Sequence, residues 1–209
     1  MNSQISRGDI LKRIAAASKR PAFVEATSTG EIYKPIEPDV VTCFKNELES
    51  ISGKCILCEN EEDVYNKVKE FMGKQEISSL YCRDPYLAGL LAKYGIAATA
   101  DESRFTGMQA GVTGCEFLVA RTGSVLVSSG LASGRQLNVF PPVHMVVAHV
   151  SQLVDYPADA INSIKAKYDE FLPSQMTFIT GPSRTADIEK TLVLGAHGPK
   201  EFIVFLQKG

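Results

Sequence analysis

The sequence lacks the features of a membrane-spanning or disulfide-stapled chain. No apolar run approaches the eighteen or so residues that a membrane-spanning helix needs. Residues 1–7 contain no hydrophobic segment typical of a signal peptide. The five cysteines are an odd number in a chain of 209 residues, which argues against a disulfide framework. We therefore expect a cytoplasmic protein in a reducing compartment.

The sequence also lacks an excess of either charge. Its formal net charge is −2, which provides no basic surface for a polyanion. We therefore expect no nucleic-acid binding, and the lack of a long apolar run leads us to expect no membrane insertion. The 44% of hydrophobic residues and 22% of charged residues are ordinary for a globular protein, and the length allows a substantial core.

Metal-ligating residues are few and poorly spaced. Cys55 and Cys58 lie in a predicted strand, where residues three apart point to opposite faces of the sheet. No second cysteine pair completes a zinc or iron–sulfur site. We expect buried or partly buried free thiols, and neither a metal nor a cofactor in this chain.

Apolar periodicity predicts alternating helices and strands over most of the chain. Residues 1–38 are predicted to form a helix, at 6–20, and an extended proline-containing arm, whereas residues 39–209 are predicted to form one α/β domain. The predicted helices cover residues 39–51, 61–72, 85–94 and 158–171, and the predicted strands cover residues 54–59, 78–82, 96–99, 124–128 and 143–150.

This alternation predicts the fold class. Strands that alternate with helices of about ten residues indicate a mostly parallel sheet with helices on both faces. Between Gly111 and Val150, short strands joined by glycine-containing turns indicate a small strand-rich insertion. For Cys115 to Ala120, periodicity does not distinguish a strand from one helical turn.

The last thirty or so residues carry the strongest functional signal. Two apolar runs, at 177–180 and 202–206, enclose a Gly-Pro turn and a helical pattern that starts near Ser183. This order predicts a β-α-β unit whose two strands lie parallel in one sheet. The start of such a helix offers free backbone N–H groups and the positive end of the helix dipole to an anion.

The side chains of this turn suit a small anion. A guanidinium such as that of Arg184 can hold a carboxylate or phosphate through two N–H groups. The ligand-binding residues predicted here are Gly181, Ser183, Arg184, Thr185 and Asp187. The competing interpretation is an ordinary helix cap with Arg184 in solvent.

The prediction of a parallel unit has a consequence for His197, a further candidate for the same site. A surface histidine near a helix end is the slightly favoured interpretation of His197. In a parallel β-α-β unit, moreover, the turns that hold Arg184 and His197 would lie at opposite ends of the sheet. Ligands bind at the carboxyl ends of the strands, so His197 should not share a site with Arg184 unless the sheet is irregular or another subunit supplies it.

A second group of candidates lies in the predicted insertion. Glu116 is a weak candidate for a nucleophile in acyl transfer, and a solvent-exposed glutamate is the competing interpretation. The turn at Thr122, Gly123 and Ser124 and the loop residue Arg135 are predicted to contact a ligand; an ordinary hairpin turn and a surface arginine are the alternatives.

His144 follows the Pro-Pro pair at residues 141–142 and enters a predicted strand. The odd separation between His144 and His149 places them on opposite faces of that strand, so they cannot share one metal. We predict that His144 is a histidine of the core or of a pocket edge.

Four motifs stand out along the chain: residues 112–124 (VTGCEFLVARTGS), 141–144 (PPVH), 181–189 (GPSRTADIE) and 195–199 (GAHGP). Through these motifs the chain resembles the LUD-domain family, and within it the lactate utilization protein C branch. The match is strong from about Gly111 to the end of the chain. It implies a fold similar to that of the sugar-isomerase and CoA-transferase superfamily.

The resemblance also implies a function. A chain of this type would support the oxidation of L-lactate to pyruvate alongside two iron–sulfur oxidoreductase subunits, and the iron–sulfur clusters would belong to those partners. The expected ligand is a small organic anion. Two alternatives stay open: a stand-alone enzyme acting on sugar phosphates or acyl-CoA esters, and a non-catalytic assembly factor.

Overall fold

The computed structural model describes residues 3–17, 33–185, 193–195 and 197–209. The chain divides into two compact units, Met1–Pro35 and Ile36–Gly209. The first unit contains helix α1 (Ser3–Ala17), which confirms the predicted amino-terminal helix and begins three residues earlier than predicted. Its apolar side chains Ile10, Leu11 and Ile14 are exposed.

The larger unit contains the remaining helices and strands that the structure describes. Its helices are α2 (Val40–Ser50), α3 (Glu61–Lys74), α4 (Pro85–Lys93) and α5 (Pro157–Tyr168). Its strands are β1 (Lys54–Cys58), β2 (Leu80–Tyr81), β3 (Ala98–Thr99), β4 (Ala110–Thr113), β5 (Phe117–Val119), β6 (Ser124–Ser128), β7 (Val143–His149), β8 (Leu153–Val154), β9 (Met176–Ile179), β10 (Arg184–Thr185), β11 (Val193–Leu194) and β12 (Glu201–Gln207).

Side-chain caps fix where three of these helices begin. Asp39 accepts a hydrogen bond from the Thr42 amide at 2.9 Å, and Asn60 accepts one from the Asp63 amide. Asp84 accepts from the amides of both Tyr86 and Leu87 and precedes Pro85, which is favoured in a first helical turn. Each cap satisfies amides that have no partner within the helix.

Six strands form the predicted parallel sheet. Their order is β1-β12-β7-β4-β2-β3, and every pair of neighbours runs parallel. Strands β7 and β12 lie between β1 and β4, so both have a partner on each side. Residues Phe202 to Leu206 of β12 are all at most 1% exposed. A continuous apolar run is what a parallel strand covered on both faces requires.

The two faces of this sheet are covered differently. Helices α3 and α4 cover one face, where Val68 and Leu91 pack against Met145 and Phe205. Helix α2 and a second, four-stranded sheet cover the other face, where Phe44 is among the fully buried residues. The α/β class with helices on both faces is therefore confirmed, and a sheet contributes to one of the covering layers.

The four-stranded sheet contains the predicted strand-rich insertion. Its order is β8-β5-β6-β9, in which β6 runs antiparallel to both β5 and β9. Residues Phe117–Val119 form a strand, which settles the choice that periodicity left open. Helix α5 packs on this sheet through Ala160 and Ile164, which contact Leu126.

The predicted terminal β-α-β unit is wrong. Strand β9 pairs antiparallel with β6 in the small sheet, whereas β12 lies in the large parallel sheet. Arg184–Thr185 does not start a helix but forms β10, which pairs antiparallel with β11. Residues 186–192, where the helix was expected to continue, lie outside the described residues. Apolar runs predict strands, but they do not specify which sheet the strands join.

The turn between β5 and β6 packs tightly on the last turn of α2. Gly123 has φ of +57°, and an added Cβ would lie 2.2 Å from the Leu48 amide nitrogen. This contact with helix backbone leaves no room for a side chain. It therefore helps to fix the small sheet against α2.

We predict that Gly123→Ala destabilises the protein by more than about 2 kcal/mol, because it combines a left-handed φ with a clash against helix backbone. Urea denaturation measures the free energy of unfolding. Gly89→Ala, inside α4 with open space around the added Cβ, is the matched control and should stabilise the protein by about 1 kcal/mol. An unchanged midpoint for Gly123→Ala would contradict the packing described here.

Candidate functional site

Two polar turns that are distant in sequence meet around the end of α2, and a third segment contacts one of them, at a place we call the Gly181 corner. It consists of residues 122–124, 180–185, 195 and 197–199. Ser124 Oγ lies 2.8 Å from Thr180 Oγ1 and accepts a hydrogen bond of 2.8 Å from Thr122 Oγ1. The structure thus joins two turns that were predicted separately as ligand-binding.

Gly181 and Arg184 both contact Ile51, the residue that ends α2. Gly181 has φ of +81°, and a Cβ there would lie 2.8 Å from the Ile51 carbonyl oxygen. Arg184 is exposed and donates a hydrogen bond from its guanidinium to the same oxygen. The cation therefore lies at the negative end of a helix dipole, where it is stabilised. Its other N–H groups can still reach a ligand.

The pairing of β10 with β11 brings the His197 turn to this corner. The Ser183 amide donates to the Pro199 carbonyl at 2.8 Å, and the Ser183 carbonyl accepts from the Gly195 amide at 2.9 Å. His197 is exposed within this turn. The expected separation of His197 and Arg184 is therefore wrong, because it assumed parallel strands. Asp187 lies outside the described residues.

The Gly181 corner lies at the amino edge of the large sheet. Pro199 and Lys200 lead into β12, and the Lys200 amide donates to the Pro142 carbonyl just before β7. Ile51 similarly precedes β1. A helix start is absent at Arg184–Thr185, so any anion affinity there depends on side chains and single amides.

Glu116 lies in a closed polar cluster at the other end of the small sheet. Its carboxylate accepts hydrogen bonds from Ser128 Oγ at 2.5 Å, Lys167 Nζ at 2.7 Å and the Tyr168 hydroxyl at 2.8 Å. The side chain is 0% exposed, unlike that of a solvated glutamate. A nucleophile must reach its substrate, so this geometry favours a structural role.

The cluster keeps Glu116 ionised. Burial alone would raise the pKa of this carboxyl, but the bonds from Lys167, Ser128 and Tyr168 together hold the pKa below its usual value. The bond to Glu116 raises the pKa of Lys167 in turn. The pair therefore links α5 to the small sheet through a buried carboxylate and a half-exposed ammonium group.

Arg135 does not join the Gly181 corner. Its guanidinium donates to Ser174 Oγ at 2.5 Å, and Ser174 lies just before β9. The corner adjoins the opposite end of β6 and β9, where Val125 pairs with Ile179. Arg135 and Arg184 therefore lie at opposite ends of the small sheet.

His144 is a core residue, as predicted. It is 0% exposed, and its Nε2 lies 2.9 Å from Thr113 Oγ1. Its Nδ1 has no hydrogen-bond partner in the described part of the chain. Burial lowers the pKa of His144 to about 3, so the ring is neutral at physiological pH.

Cys55 and Cys58 are buried free thiols, as predicted, and they face opposite sides of the large sheet. Burial raises the pKa of Cys55 to about 12 and that of Cys58 to about 11, so both stay protonated. Among the described residues, no three metal-ligating side chains come together, and no helix is both long and apolar enough to cross a bilayer.

Apart from a cavity between β1 and α3, two cavities lie away from every predicted site residue. One, of about 520 Å³, is rich in hydroxyl groups and lies beside β2, where β2 and β4 pair only at Tyr81 and Gly111. The other, of about 220 Å³, lies at the carboxyl edge of the large sheet. We call it the carboxyl-edge cleft; it is lined by Glu61, Tyr65, Asp84, Tyr86, Leu87, Leu90, Gly114, Val147, Ala148, His149, Gln152 and Gln207.

The carboxyl-edge cleft could not be read from any single motif. Gly114 follows β4, His149 ends β7 and Gln207 ends β12, so the lining comes from separate strands. The available signal was the general rule that ligands bind beyond the carboxyl ends of parallel strands. Applying that rule requires the strand order, which the sequence pattern did not supply.

We predict that Glu116→Gln destabilises the protein by about 1–3 kcal/mol at neutral pH, because it replaces a buried charge-assisted bond to Lys167. The folded-state pKa of Glu116 is lowered, so its contribution is present above the ordinary glutamate range and is lost as the pH falls through the folded-state pKa. Urea denaturation at several pH values should show the difference between the two proteins shrinking in acid.

Glu70→Gln is the matched control for this prediction. Glu70 forms an exposed pair with Lys74 on α3, and such pairs contribute little to stability. Its replacement should leave the free energy of unfolding nearly unchanged at every pH. A difference for Glu116→Gln that does not depend on pH would contradict the ion pair.

Comparison with known proteins identifies the family. The model of the LUD domain matches residues 41–206. A lactate utilization protein C from Halalkalibacterium halodurans is 37% identical over 91 residues, which cover 43% of this chain and 40% of that protein. A lactate utilization protein C from Bacillus licheniformis is 36% identical over 107 residues, covering 49% and 45%. The matches thus span less than half the length of these curated relatives.

A solved structure supports the fold independently of sequence identity. The crystal structure of a DUF162 family protein from Deinococcus radiodurans superposes with a TM-score of 0.63 and covers 84% of this chain and 100% of that one. Its sequence is 16% identical, so this likeness concerns the fold alone. Because the domain model matches most of the chain, including both sheets, the chain belongs to the LUD-domain family.

Proposed function

We propose that this chain is a lactate utilization protein C-like subunit that supports the oxidation of L-lactate to pyruvate. In this proposal it works with two iron–sulfur oxidoreductase subunits, which hold the clusters, and binds a small organic anion at the Gly181 corner. The relatives named lactate utilization protein C support the pathway. The corner supports the ligand class.

The observation that carries the ligand proposal is the convergence of polar segments on one turn of α2. Arg184 is exposed, is anchored by one N–H to Ile51, and has further N–H groups without a partner among the described residues, which can bind a carboxylate. The hydroxyls of Ser124 and Thr180 lie 2.8 Å apart, next to the two glycines, Gly123 and Gly181, that pack on the same helix end. His197 adds an exposed imidazole.

Anchoring of the guanidinium makes it a better receptor. A side chain held at one N–H loses less conformational entropy when its other N–H groups bind a ligand. Arg135 does not take part in this site, because it lies at the other end of the small sheet. The predicted binding set is thus reduced to residues of the corner.

We predict that Arg184→Ala weakens the binding of L-lactate or pyruvate about tenfold or more, because a charge-assisted hydrogen bond is lost. Arg184→Lys keeps the charge but loses the planar fork, and should be intermediate. Isothermal titration calorimetry measures both. Lys45→Ala, which removes one exposed positive charge from the same helix, should bind as the unchanged protein does.

The biological readout is growth on L-lactate. A strain that lacks the gene for this chain should be restored by the unchanged gene and by the Lys45→Ala gene, and poorly by the Arg184→Ala gene. Full restoration by Arg184→Ala, with unchanged affinity for both acids, would refute anion binding at the corner.

We further predict that the chain co-purifies with two iron–sulfur polypeptides. Affinity purification from the native host without oxygen, followed by iron and sulfide analysis, tests this. The purified chain alone should contain neither iron nor sulfide. Recovery of no iron–sulfur partner, together with turnover of a sugar phosphate or an acyl-CoA ester by the isolated chain, would favour the stand-alone enzyme. Recovery of the partners with unchanged growth of the Arg184→Ala strain would favour an assembly factor.

A further inference from the structure

The carboxyl-edge cleft has the position that ligand sites occupy in open parallel sheets. It lies beyond the ends of β4, β7 and β12, between these strand ends and the starts of α3 and α4. Loops at this edge diverge from a rigid sheet and leave a crevice for a small molecule. The Gly181 corner lies at the opposite, amino edge, so the two sites are separate.

His149 presents a fixed hydrogen-bond donor to the cleft. Its Nδ1 accepts a hydrogen bond of 3.1 Å from the Ser151 amide, and Ser151 Oγ lies 2.8 Å from the same nitrogen. A backbone amide can only donate, so Nδ1 carries no proton. The proton of the neutral ring is therefore on Nε2, which has no hydrogen-bond partner in the described part of the chain.

Asp84 presents an acceptor to the same cleft. Its Oδ1 accepts from the Tyr86 and Leu87 amides at 2.9 and 3.2 Å and caps α4. Its Oδ2 has no hydrogen-bond partner within the ranges that the structure describes. Because two backbone amides bind Oδ1 of the same carboxylate, the position of Oδ2 is fixed as well.

The remaining lining defines the shape and charge that a ligand must have. Leu87, Leu90 and Val147 supply apolar surface, and the ring of Tyr65 stacks on Tyr94 at 4.8 Å. None of the described lining residues is lysine or arginine, and two of them, Glu61 and Asp84, are acidic. Glu61 is paired with Lys93 at 2.8 Å, which leaves the Asp84 carboxylate to disfavour an anion such as lactate.

We propose that the carboxyl-edge cleft binds an uncharged nucleobase through its donor-and-acceptor edge. His149 Nε2 donates to a ring nitrogen, and Asp84 Oδ2 accepts from an amino group. Adenine carries an amino group next to an unprotonated ring nitrogen, so it can bind one donor and one acceptor at the same time. Its flat faces pack against the leucine and valine side chains. Specificity comes from the two polar atoms, and affinity comes from the apolar walls.

Histidine-ring NMR is a direct test, because the chain has only three histidines. Titration with adenine should shift the His149 ring signals in a saturable way and leave those of His144 and His197 in place. Without ligand, the neutral form of the His149 ring should be the tautomer with its proton on Nε2. L-lactate, the probe for the corner, should leave the His149 signals unchanged.

Two variants remove the ligand-facing atoms and keep the local structure. Asp84→Asn retains a good helix cap but replaces the free acceptor oxygen by an NH₂ group. His149→Asn can keep the acceptor for the Ser151 amide but lacks a group at the Nε2 position. Each should weaken adenine binding about tenfold in calorimetry, whereas Glu70→Gln should bind as the unchanged protein does.

The results separate this proposal from the one on lactate. Adenine affinity that survives both Asp84→Asn and His149→Asn would overturn it, as would the absence of saturable adenine binding or a His149 shift caused by lactate. Arg184→Ala should leave adenine binding intact. The same set of variants therefore distinguishes loss of lactate binding at the Gly181 corner from adenine binding in the carboxyl-edge cleft.

Discussion

The whole structure depends on burying both faces of the central strands β7 and β12. These strands have parallel neighbours on each side, and residues Phe202 to Leu206 of β12 are buried on both faces of the sheet. A parallel sheet of this kind is stable only when each face is covered. Helices α3 and α4 cover one face, and α2 with the small sheet covers the other. The insertion is therefore needed for the main core to exist.

That requirement also determines where polar groups collect. Elements that cover a parallel sheet connect to it at its two edges, so the polar turns gather there. The amino edge collects the turns that pack on the end of α2, including Gly181 and Arg184. The carboxyl edge collects the strand ends and helix caps, including His149 and Asp84. Glu116, by contrast, lies inside the small sheet's own interface with α5.

Local physics explains what the sequence could predict. Caps and apolar stripes are encoded within one turn, so α2, α3 and α4 were predicted within a few residues. The strand at 143–150 and the core position of His144 followed from the same kind of pattern. The sheet that β9 joins could not be predicted in this way, because the apolar pattern of a strand does not specify its partner strand.

The helix predicted at Arg184 was wrong for a related reason. Ser, Arg and Thr after Gly-Pro are compatible with both a helix cap and a short antiparallel strand, and the pairing with β11 determines which one forms. Predicting the carboxyl-edge cleft would have required the strand order of the large sheet.

The distribution of cysteines has a practical consequence. All five are buried free thiols, spread over both faces of the large sheet: Cys58 and Cys82 on one, and Cys43, Cys55 and Cys115 on the other. Burial raises the pKa of each. Alkylating reagents attack the thiolate and must reach it. The rate at which each cysteine is alkylated therefore measures how often the surrounding structure unfolds locally, and no labelling mutation is needed for this measurement.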